Sequence, residues 1–391
     1  MAENQKHGLH TVEVDSEELN KKIRAHRRKL AAIVFFILLL FVIAAVALYF
    51  YFQNKVYDSY EVLSTLERED DGASGYESFQ GNLIRYTNDG AVYTDVSGTQ
   101  IWNQPYEMEQ PAIETRGDYV AIYERGGNQV YILNTVNLQG SVQTTAPIQK
   151  VSVAKQGTVA ILMENDGTSY LQLYDKTGET LASGELHVQN SGYPLDLSLS
   201  EDGEKLAVSM LDIQSGTVKT TIAFYNFGAV GQNSIDKIVS SYSYEDVVIP
   251  QLRYLSGDTL VAFGDDRMIL FTGAQKPAES KTIELSEQVR SIFYNEEQFG
   301  LISEEEKLSL YDSSGALTQQ FQIEVDDGEA EILESGELCI RGEKSCAIYN
   351  AKGICKFSCQ FDQYLYQVLS TNRQTEYVFL LEGETQKVKL K

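Results

Sequence analysis

Two hydrophobic patterns divide the chain. From Leu30 to Phe52 every position is apolar, an unbroken run of 23 residues without a charge. As a helix rising about 1.5 Å per residue the run is about 34 Å long, enough to cross the core of a bilayer with some tilt. Downstream no long segment has a helical period. Short alternating stretches of β-branched and aromatic residues are separated instead by turn signals such as Asn88-Asp89-Gly90, Asn165-Asp166-Gly167 and Asp202-Gly203. That is the pattern of half-buried strands joined by tight turns. The prediction is one transmembrane helix followed by an all-β region.

The strands recur as a unit. An apolar strand ends in Asp or Asn, a tight turn containing Gly follows, and a second strand leaves it. Tyr93-Thr94-Asp95-Val96-Ser97-Gly98, Tyr174-Asp175-Lys176-Thr177-Gly178, Tyr311-Asp312-Ser313-Ser314-Gly315 and Tyr349-Asn350-Ala351-Lys352-Gly353 are the clear copies. Weaker ones centre near Asn134, Asn226 and Thr272. The Asp or Asn side chain closes an Asx turn while Gly takes positive φ, which suits a hairpin. Successive anchors at 95, 134, 175, 226, 272, 312 and 350 lie 39, 41, 51, 46, 40 and 38 residues apart. A period of about 40 in all-β sequence marks the four-stranded blades of a β-propeller.

Pro111, Pro147, Pro194 and Pro250 each open the strand that begins a unit, where a missing N–H removes no ladder bond. Asp362–Lys391 reads as three strands of an eighth unit, and Tyr57–Glu67 would supply its fourth. Closing the ring with strands from both ends leaves no open edge. Shared among eight units, the 335 residues from Tyr57 onward give about 42 each. Eight blades are favoured over seven.

The chain is thus expected to comprise a cytoplasmic tail (1–29), a transmembrane helix (30–52), a stalk or closing strand (53–75) and an extracytoplasmic propeller (76–391). Lys21, Lys22, Arg24, Arg27, Arg28 and Lys29 precede the apolar run and only Lys55 follows closely, which puts the N-terminus in the cytoplasm and the C-terminal domain outside the cell. Tyr49 to Phe52 sit where aromatic rings favour the outer interface. Asp15 and Glu18 have capping-box spacing for a helix running into the membrane. Glu67-Arg68-Glu69-Asp70-Asp71-Gly72 reads as a solvated charge run. A cleaved signal peptide competes, because Ala45-Val46-Ala47 resembles a processing site. A long, acid-containing leader and the apolar residues beyond the cut weigh against it.

Several units resemble known blade types. Ala91 to Trp102 is similar to the quinoprotein-type repeat, in which an Asp…Gly turn precedes a Trp. Leu197 to Ser209 resembles the inner hairpin of TolB-like and WD-like repeats. Through Gly81-Asn82-Leu83-Ile84-Arg85-Tyr86, Ser191-Gly192-Tyr193-Pro194-Leu195-Asp196 and Phe224-Tyr225-Asn226-Phe227, nearly the whole chain resembles an uncharacterised family of single-pass, membrane-anchored propeller proteins of anaerobic Gram-positive bacteria. That resemblance implies a fold and no activity. Trp102 is the only tryptophan, so quinone binding is not carried over.

Charge narrows the partners. The formal net charge is −24, and the first 29 residues carry +2, leaving −26 for the rest. Such a surface repels phosphate backbones and excludes nucleic acid as a partner. Hydrophobic residues at 43% supply a full core.

Candidate chemistry is sparse. His7, His10 and His26 lie in the tail, leaving His187 alone in the outer region, so HExxH zinc sites are excluded and a Ser-His-Asp triad would need that one residue. Asp265-Asp266 and Asp326-Asp327 read as solvated turns without calcium-loop spacing. Cys339, Cys346, Cys355 and Cys359 fall in one blade. With two-residue turns at Glu343-Lys344 and Ala351-Lys352, Cys339 lies opposite Ile348 and Ile348 opposite Cys355. Cys346 is then diagonal to both, and all four thiols share one face. Reduced thiols packed between blades, one or two disulfides, and a metal site are the readings open to them.

The reading is a membrane-tethered propeller that binds another envelope protein as a scaffold, held to the lipid bilayer through residues 30–52. No cofactor and no catalytic residue is inferred. A carboxylate-based enzyme acting on envelope polysaccharide and a small-ligand or cation sensor are the alternatives.

Overall fold

A computed structural model describes residues 16–68, 75–187, 192–213, 216–325 and 328–391. Asp15 of the capping box, residues 69–72 of the charge run, Ser191 and Asp326-Asp327 lie outside the described residues. The chain forms two units, residues 1–55 and 56–391.

In the first unit the described residues form one helix, Ser16–Gln53. It contains neither Gly nor Pro, so nothing interrupts its backbone bonds. Its stretch Arg24–Val46 is long and apolar enough to cross a membrane and buries no side chain within the protein. Residues 24–29 of the basic tail are helical as well.

The second unit is a ring of eight four-stranded antiparallel sheets. Counting outward from the centre, blade 1 runs from Gly75–Phe79 to Gln100–Pro105, and blade 2 from Pro111–Arg116 to Leu138–Gln143. The first strands of blades 3 to 7 are Ile148–Val153, Tyr193–Leu199, Gln251–Tyr254, Val289–Tyr294 and Glu329–Ile332. Blade 8 takes three strands from the C-terminus, beginning with Leu365–Ser370. Its fourth strand is Tyr60–Glu67, which pairs with Glu384–Leu390 from Tyr60 opposite Leu390 to Glu67 opposite Glu384. The ring closes by joining its two ends.

The anchor residues do the same work in every clear copy. The Asp95 Oδ1 atom accepts the amides of Ser97 and Thr99, each at 2.8 Å. Asp175, Asp312 and Asn350 repeat this at positions i+2 and i+4, at 2.9 to 3.1 Å. The glycine between adopts φ of +85° at Gly98 and +74° at Gly353, a region in which a side chain is strained. In all four copies the ladder slips by one residue beside the turn, after Tyr93, Leu173, Leu310 and Ile348. Each loop therefore joins the third strand of a blade to the fourth through a bulge, which adds twist.

Between neighbouring blades lie apolar clusters. Ala121, Val130, Ile148, Val159 and Ile161, all unexposed, fill the space between blades 2 and 3. Phe357, Leu365, Phe379 and Val388 do so between blades 7 and 8. At the seam between blades 8 and 1 the Tyr76 and Tyr366 rings lie 4.9 Å apart, with the Arg68 guanidinium 5.2 Å from the Tyr76 ring. Arg68 also donates to the Leu381 carbonyl at 2.7 Å, so the start of the charge run belongs to the ring.

Candidate functional site

Eight first strands surround a central channel, and most of them turn a polar side chain into it: Glu77, Glu114, Lys150, Asp196, Arg253, Glu331 and Gln367 from blades 1, 2, 3, 4, 5, 7 and 8. Two ion pairs organise this ring. The Arg253 Nη1 atom lies 2.5 Å from the Glu114 Oε1 atom, a pair that joins blade 5 to blade 2 and so spans the channel. The same guanidinium lies 4.7 Å from the centre of the Tyr294 ring of blade 6. Lys150 meets Asp196 at 3.1 Å, and the second Asp196 oxygen accepts the Leu252 amide at 2.8 Å. Arg116 donates to the carbonyls of Leu199 at 3.1 Å and Tyr254 at 2.8 Å. Burial works to lower the Arg253 pKa, but the charge and hydrogen bond of Glu114, with Tyr294 and Asp196, together raise it above its ordinary value.

At the end formed by the turns between first and second strands, charged loops cross the opening. Lys155 reaches Glu201 at 2.6 Å and Glu296 at 2.8 Å, and Glu334 accepts the Gly81 amide. Beneath them is a cavity of about 290 Å3. The other end opens wider. A cavity of about 1070 Å3 is lined by Glu77, Glu331, Gln367, Arg290 and Arg341 with Phe263, Leu285 and Val289. Arg341 pairs with Glu329 at 2.6 Å, and Arg290 donates to the Gly328 carbonyl at 3.0 Å.

Glu77 and Glu331 are the exceptions to this compensation. Both are half-buried, and neither has a cationic partner in an ion pair among the described residues. Glu331 accepts from the Gln367 amide at 2.7 Å. Burial, then repulsion from Glu331 and Glu114, pushes Glu77 up to about 8; burial pushes Glu331 to about 7. A carboxyl whose folded pKa lies above its ordinary 4.5 stabilises the fold below that ordinary value and loses the contribution as pH rises through about 8. Stability of the protein is expected to fall between pH 5 and pH 8, and Glu77→Gln to remove about 2 kcal/mol of that fall. Thermal unfolding at the two pH values measures it; parallel curves for the two proteins would remove Glu77 from the account.

The residues singled out in the sequence fall elsewhere. Asp265 and Asp266 sit on the rim of the wide mouth, where Asp265 accepts the Val248 amide at 3.1 Å and Asp266 pairs with Arg267 at 2.7 Å. His187 ends the outermost strand of blade 3, opposite Thr168. The cysteine geometry needs correction. Cys339 is opposite Ile348 as expected, but Cys346 is opposite Cys359, and the bulge after Ile348 sets Cys355 opposite Tyr349. Three thiols therefore face the core between blades 7 and 8, while Cys355 faces that between blades 6 and 7. The four are unlinked, with the sulfurs of Cys346 and Cys359 3.8 Å apart. Burial raises the thiol pKa of Cys339 well above its ordinary value, and a bond with Cys359 followed by burial does so for Cys346, which leaves little thiolate for attack or metal binding.

Blade number, strand order and a charged channel define the class: an eight-bladed β-propeller. The chain belongs to the family of unknown function DUF5711, whose pattern matches residues 53–390. No curated protein matches the sequence. Among solved structures, the C-terminal WD40 domain of Sif2 is similar at 13% identity and a TM-score of 0.57, covering 86% of this chain and 99% of that one. Sqt1 of Saccharomyces cerevisiae follows at 12% and 0.53, covering 86% and 98%. BamB from Moraxella catarrhalis stands at 12% and 0.49, covering 85% and 100%. The first two share the propeller fold with this chain.

Proposed function

We propose that this protein is a membrane-tethered, extracytoplasmic scaffold that binds another protein of the cell envelope on the wide mouth of its channel. The observation that carries the reading is that mouth: a cavity of about 1070 Å3 held open on a ring of eight blades, with apolar and charged groups side by side on its wall. Rigid rings that present loops at one end suit protein recognition, because little ordering entropy is lost on binding. The apolar helix and its basic N-terminal flank support the tether and its orientation. A tether raises the effective concentration for partners at the same membrane.

The test is site-specific photo-cross-linking in cells, with the reactive group at Gln288 on the mouth or at Leu181 on an outer strand. One reproducible envelope protein captured from Gln288 and not from Leu181 is expected. Absence of any product at the mouth would overturn the scaffold reading, and resistance of the propeller to protease added to intact cells would overturn its placement. A second reading draws on Glu77, a carboxyl whose pKa burial raises to about 8 and which lines a cavity, as a general acid does. Hydrolysis of an envelope polysaccharide by the full-length protein, lost in Glu77→Gln, would put the enzyme in place of the scaffold.

A further inference from the structure

We propose that the arc of channel wall formed by Glu77, Gln367 and Glu331 is the seat of a lysine or arginine side chain carried by the docking protein. The inference rests on the scaffold reading and specifies its contact.

The argument starts from the pattern of compensation. Glu114 has Arg253, Asp196 has Lys150, Glu329 has Arg341, and Lys155 serves both Glu201 and Glu296. Among the described residues Glu77 and Glu331, separated by one blade, form no ion pair. Gln367 stands between them and gives its amide to Glu331 at 2.7 Å. Both carboxyls open into the same cavity of about 1070 Å3.

Around Glu77 stand Glu331 from blade 7, Glu114 from blade 2, Arg253 from blade 5 and Tyr86 from the next strand of its own blade. Around Glu331 stand Arg341, Gln367, Glu329 and Glu334. Arg341 and Arg253 are already engaged by other carboxylates, so the repulsion between the two acids is relieved in the free protein by protons. A cation entering the arc replaces those protons. Two charge-assisted bonds then form in a confined wall, where they are stronger than at an open surface.

The chemistry also selects the occupant. Among the described residues no group of three or more His, Cys, Asp or Glu is placed to hold a metal ion, and a calcium ion takes about six to eight oxygens, more than two carboxyls supply. Phe263, Leu285 and Val289 on the same wall match the methylene stem and apolar flanks of a peptide rather than a bare diamine. The net charge of −26 beyond the tail attracts a basic segment to the propeller.

The test uses the full-length protein in phosphatidylcholine nanodiscs and a fluorescent peptide, Gly-Leu-Arg-Leu-Gly with blocked ends. Its affinity is expected to rise as pH goes from 5 to 8, with protons released on binding, read calorimetrically in two buffers of different ionisation heat. The variant Glu77→Gln/Glu331→Gln is expected to bind about ten-fold more weakly and without proton release. The control Glu179→Gln/Glu245→Gln, which removes two carboxyls from exposed positions, is expected to change affinity less than about two-fold.

Equal weakening in both variants would overturn the proposal in favour of diffuse attraction, and putrescine binding as tightly as the peptide would overturn it in favour of a polyamine site. Should the peptide fail while cross-linking at Gln288 still captures a partner, this inference falls and the scaffold stands.

Discussion

Replacing Arg253 by methionine is expected to destabilise the propeller by about 3 kcal/mol, because it strands a carboxylate inside the ring. Arg253 and Glu114 are only 17% and 22% exposed, and their pair joins blades on different sides of the channel. Removing the guanidinium leaves Glu114 near Glu77, adding a third uncompensated acid to Glu77 and Glu331, which are already forced toward protonation. It also takes the cation from the Tyr294 ring, worth roughly another 1 kcal/mol. The double variant Arg253→Met/Glu114→Leu removes both charges and is expected to recover most of the loss. Urea denaturation of the three proteins in detergent decides the matter. A single variant within about 0.5 kcal/mol of the parent would mean that water in the channel already screens the pair.

The second large effect is expected at the closure. Phe379 is unexposed, and its ring lies 5.5 Å from Tyr60, 5.2 Å from Phe361 and 6.3 Å from Phe357. Phe379→Ala opens a cavity where the N-terminal strand meets the C-terminal ones, at a cost of about 4 kcal/mol. The local result is the more telling one. Amides of Tyr60–Glu67 should exchange with solvent far faster in the variant, while those of blades 3 and 4 keep their protection. Uniform loss of protection around the ring would show that the closing strand has no separate stability.

What the sequence allowed and what it hid trace to the same turn. An Asp with Gly three residues on, at Asp95, Asp175 and Asp312, marks the blade period because the Asx loop demands those residues at that spacing. The copy at Asn350 made the period visible, yet reading Ala351-Lys352 as a two-residue hairpin ignored the loop and bulge that the other copies imply. One residue of slip sends Cys355 to the opposite face. The channel was harder to see. Glu77, Glu114, Lys150, Asp196, Arg253, Glu331 and Gln367 each sit within a strand that opens a repeat, which is a signal of a kind. Which of them meet depends on the order of blades around the ring, and Arg253 reaches Glu114 across 139 residues. Pairing of that range leaves no local trace. Strand alternation says only that a polar side chain faces away from the core.

The joining of Tyr60–Glu67 to Glu384–Leu390 also sets the order of events as the chain is made. The first strand of the ring to be synthesised is among the last to pair, since Tyr60 must wait for Leu390, 330 residues later. Bringing such distant ends together costs about 5 kcal/mol of chain entropy, met only once the blades between have stacked. Until then each nascent molecule carries two unpaired strand edges, open to a neighbour's strand. A chain cut short anywhere in blade 8 never loses them. Completion of the last turn of synthesis is thus the step that removes an aggregation-prone edge, and a nearby chaperone or protease has a plain structural mark by which to tell a finished molecule from a truncated one.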